Sequence, residues 1–519
     1  MFDTADRPGL CHYQDCSNLA LVDGGGLGPC FCCGYQGCAL HLGYEHDTCF
    51  SILQVIGAVA GAAGPVKVAT LALRPGVRSR LDLPPAPEGL RDADLQAATW
   101  KYGSMNVHFP VVFEDGAVWQ ARVKMEDYWP KSLRRAVVER EVATLRACIP
   151  SCRGSCRTPH PVFMLVEHVE GITFYKALKT KKWDDPTDVF ESVILPDLAA
   201  FYIKLTSKPF TEIGCLALAP ASTDQVTVGP LQASVNPVFW SAGAMGPFGT
   251  NATAWLARID HVLWLLDQGA IYPPNGDKMH CWGPVASDPV AMYLVHLEAR
   301  RLVQGCAEMA EAAPTYICHN DDNGDHYLLA EDGRVRGVID WEMAYTAPLA
   351  EVFATNYLWK NGPEGPSRDE LRLCDLFVAA GRGDLAAQVK KCRKYHYLRA
   401  LVGGPHRLVT IDSVWRLRRS FLGDAAGPVP PSLGAWMADR MGELGDDGLL
   451  RKIAARVWEG EGGAQAVARQ RERYIQQHEA HCQKQKDEAE KAAAKGKEGK
   501  QAEDTTSSHD LKGAEESHL

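Results

Sequence analysis

The stretch from Cys318 to Glu342, CHNDDNGDHYLLAEDGRVRGVIDWE, concentrates side chains that can do chemistry. His319 and Asp321 sit in what reads as a loop. An apolar run follows, then a turn at Glu331-Asp332-Gly333, then a second apolar run ending at Asp340. A Gly-containing turn between two short apolar runs predicts a β-hairpin. Asp321 and Asp340, nineteen positions apart, therefore bracket that hairpin. Two carboxylates so placed suit phosphoryl transfer: one orients the proton of an acceptor hydroxyl, the other holds Mg²⁺ on nucleotide phosphates. The plainer alternative for Asp321 is a turn or cap carboxylate, a common use of Asp in loops.

A second set of ligand-type residues opens the chain. Cys11, Cys16, Cys30, Cys32, Cys33, Cys38, His41, His46 and Cys49 include seven of the 17 cysteines. Structural zinc takes four N or S donors in tetrahedral geometry, usually from short-spaced pairs. Nine donors suffice for two ions with one spare. Gly24, Gly25, Gly26 and Gly28 occupy the long spacer, and so small a segment needs metal to fold. The alternative is a loop of free thiols. A filled donor set has no open position, which points to a structural or partner-binding role. The order of donors resembles an AN1-type zinc finger. That resemblance implies interleaved pairs, with Cys11, Cys16, Cys38 and His41 at one zinc and Cys30, Cys32 or Cys33, His46 and Cys49 at the other. The first spacing (four residues rather than two) and the last (two rather than one) depart from the usual pattern. Cys148, Cys152 and Cys156, with His160, form a sparser group that reads as a loop of free thiols.

The elements that must position Asp321 and Asp340 lie upstream. Tyr102 to Lys124 holds a small-residue loop at Gly103-Ser104, an alternating run, a turn at Glu114-Asp115-Gly116 and a second alternating run. This predicts another β-hairpin. Arg122 is the candidate cation for a phosphate, and Lys124, two positions on, shares its face. Val137 to Ala147 is helical in period, with Val138, Val142 and Leu145 along one side. Glu141 is the candidate partner for Arg122, with Glu139 its rival. Val162 to Gly171 reads as an apolar strand leading into Glu167, the shape of a hinge whose backbone can bond an adenine ring.

The order of these pieces is more specific than any one of them. The chain resembles the aminoglycoside phosphotransferase-like family, and most closely its fungal members. Phe113-Glu114-Asp115-Gly116 with Trp119 and Ala121-Arg122-Val123, Glu141 to Leu145, Leu205-Thr206-Ser207 with Phe210, Ile213 and Gly214, and Gly337 to Glu342 carry the likeness. It covers about residues 100 to 360 and extends toward 460. It implies an α+β, protein-kinase-like fold with a five-stranded sheet, one helix and a larger helical lobe. It also implies ATP, Mg²⁺ and transfer of phosphate to a small-molecule hydroxyl or amine. By the same resemblance Asp321 is the catalytic carboxylate and His319 steadies its loop. Gly103, Ser104, Arg122, Glu141 and Glu167 serve the nucleotide, and Asp340 holds magnesium. Arg122 replaces the more common Lys, offering a planar fork rather than a point charge. His326 stands where the family carries a metal-binding Asn, and imidazole suits softer metals than Mg²⁺. Three readings stand: His326 binds metal less tightly, Asn323, Asp322 or Asp325 substitutes for it, or the site binds nucleotide without turnover. In the last case the chain is a pseudokinase scaffold.

Composition bounds the remainder. The chain has 519 residues, 46% of them hydrophobic, and a net charge of −9, which argues against a general nucleic-acid surface. The expected organisation is a zinc module over 1–50, a Gly/Ala/Pro-rich linker over 51–95, the small lobe over 96–170, the helical lobe over 171–460 and a charged tail over 461–519. Ala464 to Lys491 reads as a solvated helix, with a tail beyond Lys495 too polar to bury a core. Absence of a signal peptide or long apolar run points to the cytoplasm or nucleus, with no membrane partner. The zinc module and the tail are the candidate protein-binding segments.

Overall fold

The computed structural model describes residues 101–102, 106–112, 118–124, 131–148, 163–180, 183, 185–219, 225–231, 245–270, 288–321, 326–354, 365–402 and 409–510. The nine N-terminal donors, Gly103, Ser104, Cys152, Cys156, His160, Asp322, Asn323 and Asp325 lie outside the described residues, as does the side chain of Glu167. Among the described residues the chain mixes helix and strand. It divides into two compact units. The first comprises Met1–Val235, Ala244–Gly249 and Ala313–Lys390; the second comprises Asn236–Gly243, Thr250–Ala312 and Lys391–Leu519.

In the first unit, strands β1 (Lys101–Tyr102), β2 (Asn106–Val112), β3 (Val118–Lys124) and β4 (Phe163–Glu167) form an antiparallel sheet in that order. The resemblance implies five strands; four are present among the described residues. β2 and β3 pair from Asn106↔Lys124 to Val112↔Val118. Residues directly opposite share a face, and so do positions two apart. Asn106, His108, Arg122 and Lys124 therefore project together. Met164, opposite Arg122, lies on that face too. Helix α1 (Lys131–Cys148) covers it, packing Val138 and Val142 on Met164 and Val166. Glu141 falls on the same helical stripe, three residues after Val138 and one before Val142, so the packing that buries the valines carries a carboxylate in with them.

The rest of the unit is made of small antiparallel pieces. β5 (Ile172–Thr173) joins β9 (Tyr327–Leu329) and β10 (Val335–Val338); β6 (Leu216–Leu218) pairs β7 (Val226–Val228); β8 (Thr315–Cys318) pairs β11 (Tyr345–Pro348). The β9–β10 turn falls at Glu331-Asp332-Gly333 as the sequence predicts, with Gly333 at φ +87°, a conformation an L side chain rarely adopts. Asp197 of helix α2 (Leu195–Leu205) holds the hairpin by accepting from Arg334 Nη1 at 2.6 Å and from the Val335 N–H at 3.0 Å. A second corner fixes β11. Thr346 Oγ1 donates to the Glu212 carbonyl at 2.7 Å and accepts from the Gly214 N–H at 3.0 Å. A Cβ at Gly214 would lie 2.0 Å from the Gly229 carbonyl oxygen, so only glycine fits. Since β11 begins three residues after Glu342, this corner sets the end of the segment that opened the sequence reading.

The second unit is helical among its described residues. α3 (Asn251–Gln268), α4 (Pro289–Gln304), α5 (Leu433–Glu443), α6 (Gly448–Val457) and α7 (Gly463–Asp510) are its longer elements, with Arg393–Leu401 and Ile411–Leu422. Their N-termini are capped by Thr250, Asp288, Ser432 and Asp447 side chains for α3, α4, α5 and α6. The two aspartate caps also accept from a tyrosine. Tyr474 Oη donates to Asp288 at 2.8 Å, and Tyr293 Oη donates to Asp447 at 2.8 Å. The start of α7 is not solvated as its composition suggests: Ala466, Val467, Gln470 and Tyr474 are buried. They recur at helical spacing, and small or amphipathic side chains suffice because α5 and α6 pack close against them. No helix among the described residues is long and apolar enough to cross a membrane.

Candidate active site

The face shared by β2 and β3 delivers a cluster of charges. Arg122 is at its centre, nearly enclosed. Its Nη1 donates to Glu141 Oε1 at 2.7 Å, and its Nη2 reaches Asp340 Oδ1 at 2.5 Å and Glu342 Oε2 at 2.7 Å. Lys124 Nζ also pairs with Glu342 Oε2. Asn106 Nδ2 donates to the same oxygen at 2.9 Å. Asn106 and Lys124 are directly opposite in the ladder, so one cross-strand pair supplies both of these donors. Glu139, the rival to Glu141, points outward and pairs with Arg135 one turn away.

Asp340 follows β10 with φ +66°, the single non-glycine residue with positive φ among those described. Such a backbone costs on the order of 1 kcal/mol and is held here by its neighbours. Ile339, just before it, donates its N–H to the His326 carbonyl at 2.9 Å, and its own carbonyl accepts from His319 Nε2 at 2.9 Å. Both ends of the loop that carries Asp321 are thus fastened to the residue before Asp340. The His319 ring stands edge-on to Trp341 at 4.8 Å and lies 5.1 Å from the His326 ring. His326 Nε2 is 3.6 Å from Asp340 Oδ2. Asp321, half-buried, occupies the turn three residues past β8.

Burial opposes every charge in the cluster, and opposite charges nearby decide the outcome. For Asp340, the Arg122 guanidinium, His326 and Lys124 outweigh burial and hold the carboxyl well below the usual range. Lys124 and Arg122 likewise outweigh burial at Glu342 and lower it. Burial pushes Glu141 up to about 7 against the pull of Arg122. Burial, helped by Arg122, lowers His108 to about 4, so the ring adjoining the cluster is neutral at physiological pH. Burial lowers Lys124 against the pull of Glu342. Arg122 stays charged throughout, its acidity suppressed by the three carboxylates despite burial. Elsewhere, burial pushes the Cys148 thiol up to about 12, so it is neither a thiolate nucleophile nor a ready metal ligand at neutral pH.

The structure therefore brings Arg122, Glu141, Asp340 and His326 together, with His319 alongside. The β4 backbone at Glu167 pairs with Trp119. Three members of the cluster had no assigned role in the sequence: Glu342, Lys124 and Asn106. Lys124 was signalled by sharing the face of Arg122, and Glu342 by standing two residues beyond Asp340. Asn106 carried no signal, because its partner lies 236 positions away.

The donor set can be tested for Mg²⁺. Asp340 keeps 32% of its side chain exposed, whereas Glu342 keeps 3%. One accessible carboxylate suits an ion that takes one or two protein carboxylates and completes its shell with phosphates and water. The imidazole of His326 beside it is not a hard-ion donor. The residues fit magnesium held through Asp340.

Residues 288–372 match the model of the phosphotransferase enzyme family. No curated protein matches the chain. Among solved structures, Plasmodium vivax ethanolamine kinase is 14% identical over 63% of this chain and 82% of its own, with a TM-score of 0.38. A thermostable mutant of an aminoglycoside phosphotransferase, in ternary complex with ADP and hygromycin B, is 12% identical over 63% and 93%, TM-score 0.36. A macrolide 2'-phosphotransferase from Brachybacterium faecium is 13% identical over 70% and 97%, TM-score 0.32.

Proposed function

We propose that this protein transfers the γ-phosphate of ATP to a hydroxyl or amine of a small molecule, on a protein-kinase-like framework. One observation carries the reading: a buried Arg122 on a strand of the small sheet joins Glu141 of the covering helix to Asp340 at the end of β10. A cation so held is oriented for phosphate, and a neighbouring accessible carboxylate for magnesium. The metal, when bound, neutralises charge on the phosphates. Arg122 would turn its fork to a phosphate oxygen, with Glu141 fixing its direction. Asp321 would orient the acceptor and receive its proton, with His319 holding the loop through Ile339. The N-terminal cysteines and histidines are assigned to zinc, and the metal content is measurable on the purified chain.

The test is magnesium-dependent ATP consumption across a panel of hydroxylated and amine-bearing metabolites. Turnover of at least one is expected. Absence of turnover, with ATP still raising the melting temperature, overturns the reading in favour of a nucleotide-binding scaffold. His326, 3.6 Å from Asp340 where an amide is expected, is the observation that favours that second reading. His326→Asn raises turnover in a weakened enzyme and leaves a scaffold at zero.

A further inference from the structure

Arg122 has more duties than one guanidinium can keep while binding a nucleotide. Its Nη2 is shared between Asp340 and Glu342. Turning to a phosphate requires letting go of at least one. If Arg122 alone served Glu342, its departure would leave a buried carboxylate unpaired, a situation that costs several kcal/mol. The structure supplies a substitute. Lys124 and Asn106 meet the same oxygen of Glu342 from a single cross-strand pair. They come from the hairpin that also carries Arg122, so they hold the hairpin to the Asp340–Glu342 segment while the guanidinium moves.

We propose that Lys124, Asn106 and Glu342 form a standing clamp that releases Arg122 for the nucleotide, making Lys124 and Glu342 positioning residues rather than catalytic ones. The clamp explains why the strand presents two cations two positions apart. Arg122 is the exchangeable one, with a fork that matches phosphate. Lys124 is the fixed one, a point charge with 1% of its side chain exposed. It also gives Glu342 a reason to be buried two residues from an accessible Asp340: the first carboxylate anchors, the second remains open. The inference rests on the phosphotransferase reading for the identity of what Arg122 meets.

The clamp makes an unusual demand on a double variant. In Lys124→Met, Arg122 must remain on Glu342, so ADP affinity, read by titration calorimetry on the full chain well below its melting temperature, falls about tenfold, the size of one lost charge-assisted contact. In Lys124→Met/Glu342→Gln the buried charge is gone, Arg122 is free, and affinity returns to within about threefold of the wild type by the same reasoning. Lys124→Arg, which keeps the charge, retains most of the affinity. A lysine that merely supports the fold gives the opposite result: a lowered melting temperature with unchanged ADP affinity, or cumulative loss in the double variant. Either outcome overturns the proposal. If the wild-type chain binds no ADP with or without Mg²⁺, the nucleotide reading fails by itself. The clamp is then judged on melting temperature, where losses that simply add for Lys124→Met and Glu342→Gln overturn it.

Discussion

Two regions of this protein bury polar groups in different ways. Around Arg122, five ionisable side chains from one strand, a helix and the segment after β10 share one space, three acidic and two basic. The set holds one more carboxylate than cation, with Glu141 Oε2, Arg122 Nε and Asn106 Oδ1 buried and lacking a hydrogen-bond partner. In the helical unit the carboxylates that start α4 and α6 are capped, while the buried Glu298 pairs with Arg301 and Arg418. Asp288 and Asp447 each accept from a backbone N–H of the helix they start and from one tyrosine hydroxyl. The second arrangement is what stability alone asks for, with buried acceptors satisfied by nearby donors. The first is costly and incompletely satisfied, and a cluster of that kind is expected where a ligand completes it.

The largest expected effect comes from breaking the first region at its centre. Arg122→Met leaves Glu141 and Glu342 short of a cation and should destabilise the first unit by about 3–5 kcal/mol, read from chemical denaturation. A loss below about 1 kcal/mol would place the cluster among exposed ion pairs and remove the contrast.

The next effect belongs to the second region and depends on pH. His296 in α4 is fully enclosed and donates from Nδ1 to the Met292 carbonyl; burial lowers it to about 4 from an ordinary 6.5. Between those values the unfolded chain binds a proton that the folded chain refuses. Its contribution is therefore present above pH 6.5 and is lost as pH falls through about 4, up to roughly 3 kcal/mol. His396 in the same unit, lowered by burial and by Arg393 and Arg399 to about 3, adds to the slope from pH 6.5 down to about 3. His296→Leu should reduce the slope between pH 6.5 and 4, leaving the part due to His396, and an unchanged slope would show that the ring is not the titrating group.

The smallest effect measures one hydroxyl-to-carboxylate bond of the helical region against an exposed ion pair of the first unit. Tyr474→Phe removes a donor from Asp288, which keeps the Ala291 N–H, and should cost about 1 kcal/mol. Arg135→Ala, which breaks an exposed pair with Glu139, should cost less than about 0.5 kcal/mol. Equal costs for the two would mean that enclosure adds nothing to a hydrogen bond here.

Much of the site was readable before any coordinates. Glycine-bearing turns between alternating runs placed both hairpins, because turn geometry and strand period are local properties. Glu141 was preferred to Glu139 only by context, and the packing of Val138 and Val142 on Met164 supplies the reason. The reading of α7 as solvated missed its buried start. Gln470 and Tyr474 look polar in a sequence, yet Gln470 accepts from Trp458 Nε1 at 2.9 Å and Tyr474 donates to Asp288.

By itself the sequence determined the order of strands, helix and carboxylates, and the face on which Arg122 and Lys124 lie, since periodicity and turn chemistry act over a few residues. Only the tertiary structure decided that both cations meet Glu342. Glu342 is 220 positions from Arg122 and 236 from Asn106. No local rule reaches that far; the pairing is set by the strand register, by the Gly214–Thr346 corner that ends the segment, and by the left-handed backbone at Asp340. Asp321 and Asp340 stand out in the sequence, and the buried charges brought to Arg122 determine how Asp340 is held.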